Sequence, residues 1–544
     1  MTKTQILDCT LRDGGYYTNW DFNSETVDAY IQAMNVLPID YLELGYRNNP
    51  TKEYMGKFGY CPVSVLKHIR QTCTKKLDVM LNEKSTKPED LDLLLKPIVG
   101  LVDMIRMAID PKNFDRAVVL AKAVKLMGFE VGFNVMYMSK WSTEYPEFLK
   151  KLTVLNGWCD LFCMVDSFGG VTPEDVTRIY KEVREYTNVP VGFHGHNNLQ
   201  LGLINTITAM KLGVDYVDAT ILGMGRGAGN LNMELLLTYL NAHEGMQVDF
   251  NVLGDVITAF TPLYEQHQWG TNLPYMLAGA NRIPQKEVMD WVTNRVYSFN
   301  SIVRALENRK NNTVDNAKYP VFEANRKFSK VIVVGGGNSV KEHLEGIKAF
   351  VNANANLNPN DGGVAMIFST ARHAKLFADV ECMKYYALVG TESRRMAANV
   401  TNPNVNANLN PNVNGNVNGN DNGNGDWFKD AVILPPYPRT MGTEVPAFAE
   451  KHTYELPSVD FINDYKDSST TIAFQLALAV ASGEIYTVGY DGYPGSVLSE
   501  KEMALTHENK TIFEAFAKAN GGTLKSLTPS LYKELQIVSV YQFI

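Results

Sequence analysis

The chain has 544 residues, 45% of them hydrophobic, and a formal net charge of -8. It is too long for one ordinary domain and apolar enough for real cores, so at least two domains are expected. The acidic balance, with no long basic run, argues against nucleic acid as a partner; no apolar run of spanning length or signal core argues for a membrane, so a soluble cytoplasmic protein is expected.

Short β-rich runs open the chain: Gln5–Cys9, Tyr41–Gly45, Leu77–Leu81, Met104–Ala108, Glu130–Asn134, Leu161–Val165, Val191–His194 and Tyr216–Thr220. Helix-period segments such as Ser24–Asn35, Phe114–Met127, Pro173–Tyr186 and Leu199–Leu212 lie between them. Thr172 and Pro173 fit N-cap and first helical position, and Gly128 and Gly213 fit helix ends. Strands alternating with helices in this way predict a closed (β/α)8 barrel over residues 1–245, with an open doubly wound sheet as its rival. Residues 246–310 read as a helical extension and 311–329 as a linker. Residues 330–544 read as a smaller α/β domain with a Rossmann-like sheet, opening with Lys330–Val334 and a glycine turn. The Asn/Gly-rich tract 399–425 has almost nothing to bury and is expected to be a disordered insertion. Six scattered cysteines form no CxxC pair, which disfavours a zinc knuckle and suits a reducing compartment.

A barrel collects the polar residues at its strand ends into one mouth. Arg12 and Asp13 follow the first strand, Glu43 lies within the second near its end, Asp166 and Ser167 follow the sixth, and His194 and His196 come at the end of the seventh and just after it. Asn82, Arg106 and Asn134 add to the ring. One carboxylate, Asp13, and two imidazoles spaced i, i+2 make a ligand set for a divalent metal, and histidines so spaced on a strand share a face. Two histidines and a carboxylate also suit non-haem iron, a minor rival.

The segment Leu7-Asp8-Cys9-Thr10-Leu11-Arg12-Asp13-Gly14-Gly15 resembles the opening motif of the DRE-TIM metallolyase superfamily. His194-Gly195-His196-Asn197-Asn198 and Gly225-Arg226-Gly227-Ala228-Gly229-Asn230 resemble its later motifs. The resemblance covers residues 1 to about 245, and the Asp-Gly-Gly-Tyr form points to the 4-hydroxy-2-oxovalerate aldolase branch. It implies Asp13, His194 and His196 as metal ligands, Asn230 as a fourth ligand or supporting group, and Arg12 as stabiliser of an enolate oxygen. Glu43, Asp166 and Ser167 would line the mouth. The aldolases of that branch carry an acid/base histidine three positions after the motif's aspartate; this chain has Tyr16 there. Tyr16 is then either the proton donor or an aromatic wall.

A 2-oxo acid can chelate a metal through its carboxylate and keto oxygens, and the ion lowers the barrier to an enolate. The expected function is therefore a Mn2+- or Mg2+-dependent aldolase or lyase joining or splitting a 2-oxo acid and an aldehyde. The alternatives are a Claisen-type acyl-CoA condensing enzyme and a non-catalytic barrel with a sugar-nucleotide-binding domain. A homo-oligomer is expected. In the second half, Gly335, Gly337 and Ser339 form a turn between strand and helix that could hold a phosphate, although the full dinucleotide fingerprint is missing. That half faintly resembles nucleotide-sugar transferases of the sialyltransferase-like and motility-accessory type, which implies a nucleotide or activated sugar as its ligand.

Overall fold

Period-two alternation in the first half closes on itself. In the computed structural model, β1 (Gln5–Asp8), β2 (Tyr41–Tyr46), β3 (Lys76–Asn82), β4 (Met104–Ile109), β5 (Glu130–Val135), β6 (Leu161–Asp166), β7 (Val191–Gly195) and β8 (Tyr216–Ala219) form a closed parallel barrel. The ring shuts where Ile6 of β1 stands opposite Val217 of β8. The structure describes residues 4–544 apart from 53, 295–298, 313–317, 356–361, 391, 401–426, 440, 442–443 and 495–499. Two compact units result, Met1–Met289 and Asp290–Ile544.

Each barrel strand divides its side chains between two environments. Ile105, Met107 and Ile109 of β4 face outward into the core shared with the surrounding helices. Each such side chain contributes about 1.5–3 kcal/mol on burial. Met104 faces the lumen with Leu7, Cys9, Tyr41, Leu161, Cys163 and Val165. Two residues further along β4, on the same face as Met104, comes Arg106, fully buried with Glu43, Asp78 and Asp218 around it. The lumen is thus apolar below and charged above.

The helices follow local signals. Asn23 accepts from the Thr26 amide at 2.7 Å and starts α2 (Ser24–Val36). Thr172 and Asp175 form a capping box ahead of the helix Pro173–Arg184. Gly213, at φ 91°, ends the helix Gly202–Leu212 in the left-handed conformation. Arg12 and Asp13 lie not in a loop but in α1 (Thr10–Thr18), which begins directly after β1. Two glycines would normally weaken such a helix. Here they make room: a Cβ on Gly14 would stand 2.4 Å from the Met224 sulfur, and one on Gly15 would stand 2.0 Å from the Trp20 indole. Helices Phe250–His267, Leu273–Ala280 and Gln285–Met289 complete the first unit, whereas Phe299–Lys310 falls in the second.

The second unit contains β9 (Phe328–Val334), β10 (Val364–Phe368), β11 (Met383–Ala387), β12 (Ala431–Leu434), β13 (Thr453–Glu455), β14 (Ala481–Val488), β15 (Leu524–Ser526) and β16 (Leu535–Ile537). They form one parallel sheet in the order β13-β12-β11-β10-β9-β14-β15-β16. Val331 and Val333 pack on one face, Ile332 and Val334 on the other, as a sheet covered on both sides requires. The tract 399–425 falls outside the described residues from position 401 onward. Among the described residues no helix is long and apolar enough to cross a membrane.

Candidate metal centre and its relatives

At the carboxyl end of the barrel, α1 delivers Asp13, β7 delivers His194, and the residue directly after β7 is His196. His194 Nε2 lies 3.8 Å from Asp13 Oδ2, and the rings of His194 and His196 are 4.9 Å apart. Both histidines have their Nδ1 occupied. His194 Nδ1 meets Asp218 Oδ2 at 2.9 Å, and His196 Nδ1 donates to the Asp166 carbonyl at 2.7 Å. Fixing Nδ1 sets each ring's orientation and leaves the Nε2 lone pair for a ligand. Burial, with His194 beside it, lowers His196 to about 4, so its imidazole is neutral near pH 7, as metal binding requires. Burial opposes the charge on Asp13, but Arg12, the two histidines and Asn230 hold its pKa below the usual carboxylate value.

Asn230 belongs to the same cluster: its Nδ2 donates to Asp13 Oδ2 at 2.7 Å, while its buried Oδ1 has no hydrogen-bond partner. Charge also favours a cation. Asp13, Glu43, Asp78 and Asp218 are all buried against the guanidiniums of Arg12 and Arg106. Asp78 relieves part of the excess, since burial and neighbouring Glu43 push its pKa well above the ordinary value. An orphaned amide oxygen, two imidazoles with free Nε2 atoms and surplus carboxylate fit a divalent ion. Cys9, His194 and Asp218 also offer ligand atoms within 4.8 Å of one another. That trio suits an ion poorly, because burial holds the Cys9 thiol far from ionisation and Asp218 Oδ2 is engaged by His194 and Arg106.

Arg12 lies beside this centre. Its Nε donates to Glu43 Oε2 at 2.6 Å, and Nη1 pairs with Asp13. Glu43 thus orients Arg12 and also faces Arg106 at 3.3 Å. Tyr16, one turn along α1, places its hydroxyl 3.2 Å from the Tyr46 hydroxyl and its ring edge against Trp20. The Arg226 guanidinium sits 3.7 Å above the Tyr16 ring.

Other expected residues have different partners. The Asp166 carboxylate accepts from the Gly170 and Val171 amides of its own loop, and burial lifts its pKa to about 6. Ser167 Oγ accepts from the Tyr137 amide at 2.9 Å. Both secure loops around the mouth. In the second unit, the amides of Gly335, Gly337 and Ser339 donate to Val488, Gly489 and Asp491. Strand-end reasoning passed over Asp218 and Asp78, although their strands carried the signal: Asp218 follows Tyr216 at spacing two, on the lumen face. Asn198, the last residue of the second motif, donates to the Tyr275 carbonyl at 2.8 Å and accepts from Gln285 at 2.7 Å. Gln285 in turn accepts from the Ala228 amide, clamping the second and third motifs together.

A family model described as HMGL-like matches residues 104–258. The 4-hydroxy-2-oxovalerate aldolase of Thermus thermophilus is 30% identical over 245 residues, covering 43% of this chain and 68% of its own. That of Pelotomaculum thermopropionicum is 28% identical over 291 residues, 51% of this chain and 82% of its own. The oxaloacetate decarboxylase of Mycobacterium tuberculosis is 26% identical over 243 residues, 43% of this chain and 69% of its own. Among solved structures, the N-terminal domain of a candidate aldolase from Bacteroides vulgatus is 75% identical, with TM-score 0.53 over 55% of this chain and 99% of that one. Barrel, motifs in order and relatives agree, and the chain belongs through its first domain to the HMGL-like family of DRE-TIM metallolyases.

Proposed function

We propose that the barrel is a divalent-metal-dependent carbon–carbon lyase or aldolase that works through the enolate of a pyruvate-like 2-oxo acid. The observation that carries this reading is the convergence of Asp13, His194, His196 and Asn230, with both Nδ1 atoms tied back. Mn2+ or Mg2+ held by these residues would polarise the keto group and make its enolate accessible. Arg12, fixed by Glu43 and Asp13, keeps Nη2 without a partner among the described residues and sets positive charge where the enolate oxygen develops. In the addition direction Tyr16 gives the proton that the entering aldehyde oxygen takes as it becomes a hydroxyl, in cleavage that proton returns to Tyr16, and Tyr46 holds the Tyr16 hydroxyl in place.

The test is exchange of pyruvate's methyl protons in D2O, joined to a screen of aldehydes. Exchange should vanish on chelation, return with Mn2+ or Mg2+, and be lost in Asp13→Asn and His194→Ala. Full exchange after exhaustive chelation rules the reading out. Oxaloacetate belongs in the same screen, because losing its carboxylate generates the same enolate and one relative is an oxaloacetate decarboxylase.

A further inference from the structure

The second domain offers a separate anion site. β9 pairs with both β10 and β14, so the strand order reverses there and opens a crevice at the carboxyl edge of the sheet. The glycine turn after β9 is already filled. Ser339 donates to Asp491 from its amide at 2.9 Å and from its hydroxyl at 2.5 Å, and a Cβ on Gly337 would stand 2.4 Å from that carboxylate. A carboxylate of the chain itself occupies the place an external anion would take at such a turn.

The open space lies one strand away. A cavity of about 580 Å³ is lined by Gly336, Thr370, Arg372, Arg395 and Asn399. Arg372 donates to the Gly336 carbonyl at 3.1 Å and forms no ion pair among the described residues. Buried His373 contacts the same carbonyl through Nε2 at 3.2 Å, and its Nδ1 has no partner, so Gly336 is a fixed anchor for Arg372. Arg395 pairs with Glu392 at 2.5 Å, and the other Glu392 oxygen accepts from the Thr370 hydroxyl at 3.0 Å. Asn399 donates to the Arg395 carbonyl at 2.9 Å. Arg395 has Glu392 as its counter-charge and Arg372 has none among the described residues, so the lining carries net positive charge with most guanidinium N–H donors unspent. Among the described residues its lining is polar and cationic rather than aromatic.

We propose that this cavity binds the phosphate of a small phosphorylated polyol or sugar. Arg372 and Arg395 share the phosphate oxygens, each guanidinium matching two of them, and Thr370 and Asn399 meet ligand hydroxyls. The site stands whether or not the barrel chemistry is right.

Titration calorimetry of the full chain with glycerol phosphate, and with malate as a dicarboxylate control, tests it. Saturable glycerol phosphate binding is expected, with malate weaker by roughly tenfold or more. Arg372→Gln and Arg395→Gln should each weaken glycerol phosphate binding by about tenfold while leaving metal binding by the barrel unchanged. Both side chains are exposed, so the variants should fold. No saturable heat with glycerol phosphate, malate binding as tightly, or undiminished binding by the Arg372→Gln/Arg395→Gln double variant would overturn the proposal.

Discussion

Replacing Asp218 by Asn separates the geometry of the metal centre from its ligands. Asp218 Oδ2 receives His194 Nδ1 at 2.9 Å and Arg106 Nη2 at 2.7 Å, and His194 and Arg106 hold its pKa at about 2 against the effect of burial. An amide keeps an acceptor but loses the charge that fixes the His194 ring. Hydrogen-bond partners of metal-binding histidines are worth about 10–100-fold in metal affinity, or about 1.4–2.8 kcal/mol. The change also removes a counter-charge from Arg106, and breaking a buried pair costs about 3–5 kcal/mol where nothing replaces it. Here Glu43 remains 3.3 Å from Arg106 and Asp78 3.8 Å away. Burial and Glu43 push the Asp78 pKa up, with the Asp218 charge adding to the rise, so losing that charge makes an ionised Asp78 easier to reach beside Arg106. The stability loss should therefore fall below that range, at roughly 2 kcal/mol. Manganese titration followed by the resonance of the free ion gives the affinity, and thermal unfolding gives the stability. A folded Asp218→Asn chain with unchanged manganese affinity, or an Asp78→Asn chain that loses as much affinity, would refute the reasoning.

Tyr16→Phe should lower turnover by about 10²-fold or more while leaving metal affinity unchanged; unaltered turnover would make Tyr16 an aromatic wall. Gly15→Ala should destabilise more than Gly14→Ala, by about 1–3 kcal/mol against less than 1, measured by denaturant unfolding. Trp20 is pinned by its bond to the Arg12 carbonyl, whereas the Met224 thioether can move aside. Asp8 gives a pH prediction. Burial raises its pKa from 3.8 to about 6, so the folded chain holds the proton more tightly than the unfolded one. Stability from this group is present at low pH and is lost as pH rises from about 4 through about 6, by about 3 kcal/mol. Asp8→Asn, keeping its contacts with the Thr10 amide and Tyr30 hydroxyl, should melt higher than the parent at about pH 8, with the gap closing toward about pH 4. A gap independent of pH would contradict it.

The barrel was legible because its strands repeat one pattern bounded by capping and turn signals. Each of the eight predicted runs overlaps an observed strand. Asp13 and the histidines were legible because they sit in short motifs near strand ends. Asp218 was harder to see because it lies inside a strand, where its spacing from Tyr216, rather than a motif, marks it as facing the lumen. Asp166 shows the opposite limit. It stands at a strand end like the others, yet the loop amides that follow have the first claim on its carboxylate. β13, β15 and β16 hold three residues each, too few for alternation to register. The helical form of the opening motif was obscured by two glycines whose purpose is set by Met224 and Trp20.

The position of β9 has a consequence for how the second domain is made. It joins β10 early, but its other edge waits for β14, whose Ile485 aligns with Val331 from about 150 residues further along. During synthesis one flank of the growing sheet therefore stays open while the remaining strands emerge, and an unpaired edge of Val and Ile invites association with other chains. Truncation after β13 should trap that state as an insoluble product, and refolding of the complete chain should slow at the step in which β14 docks.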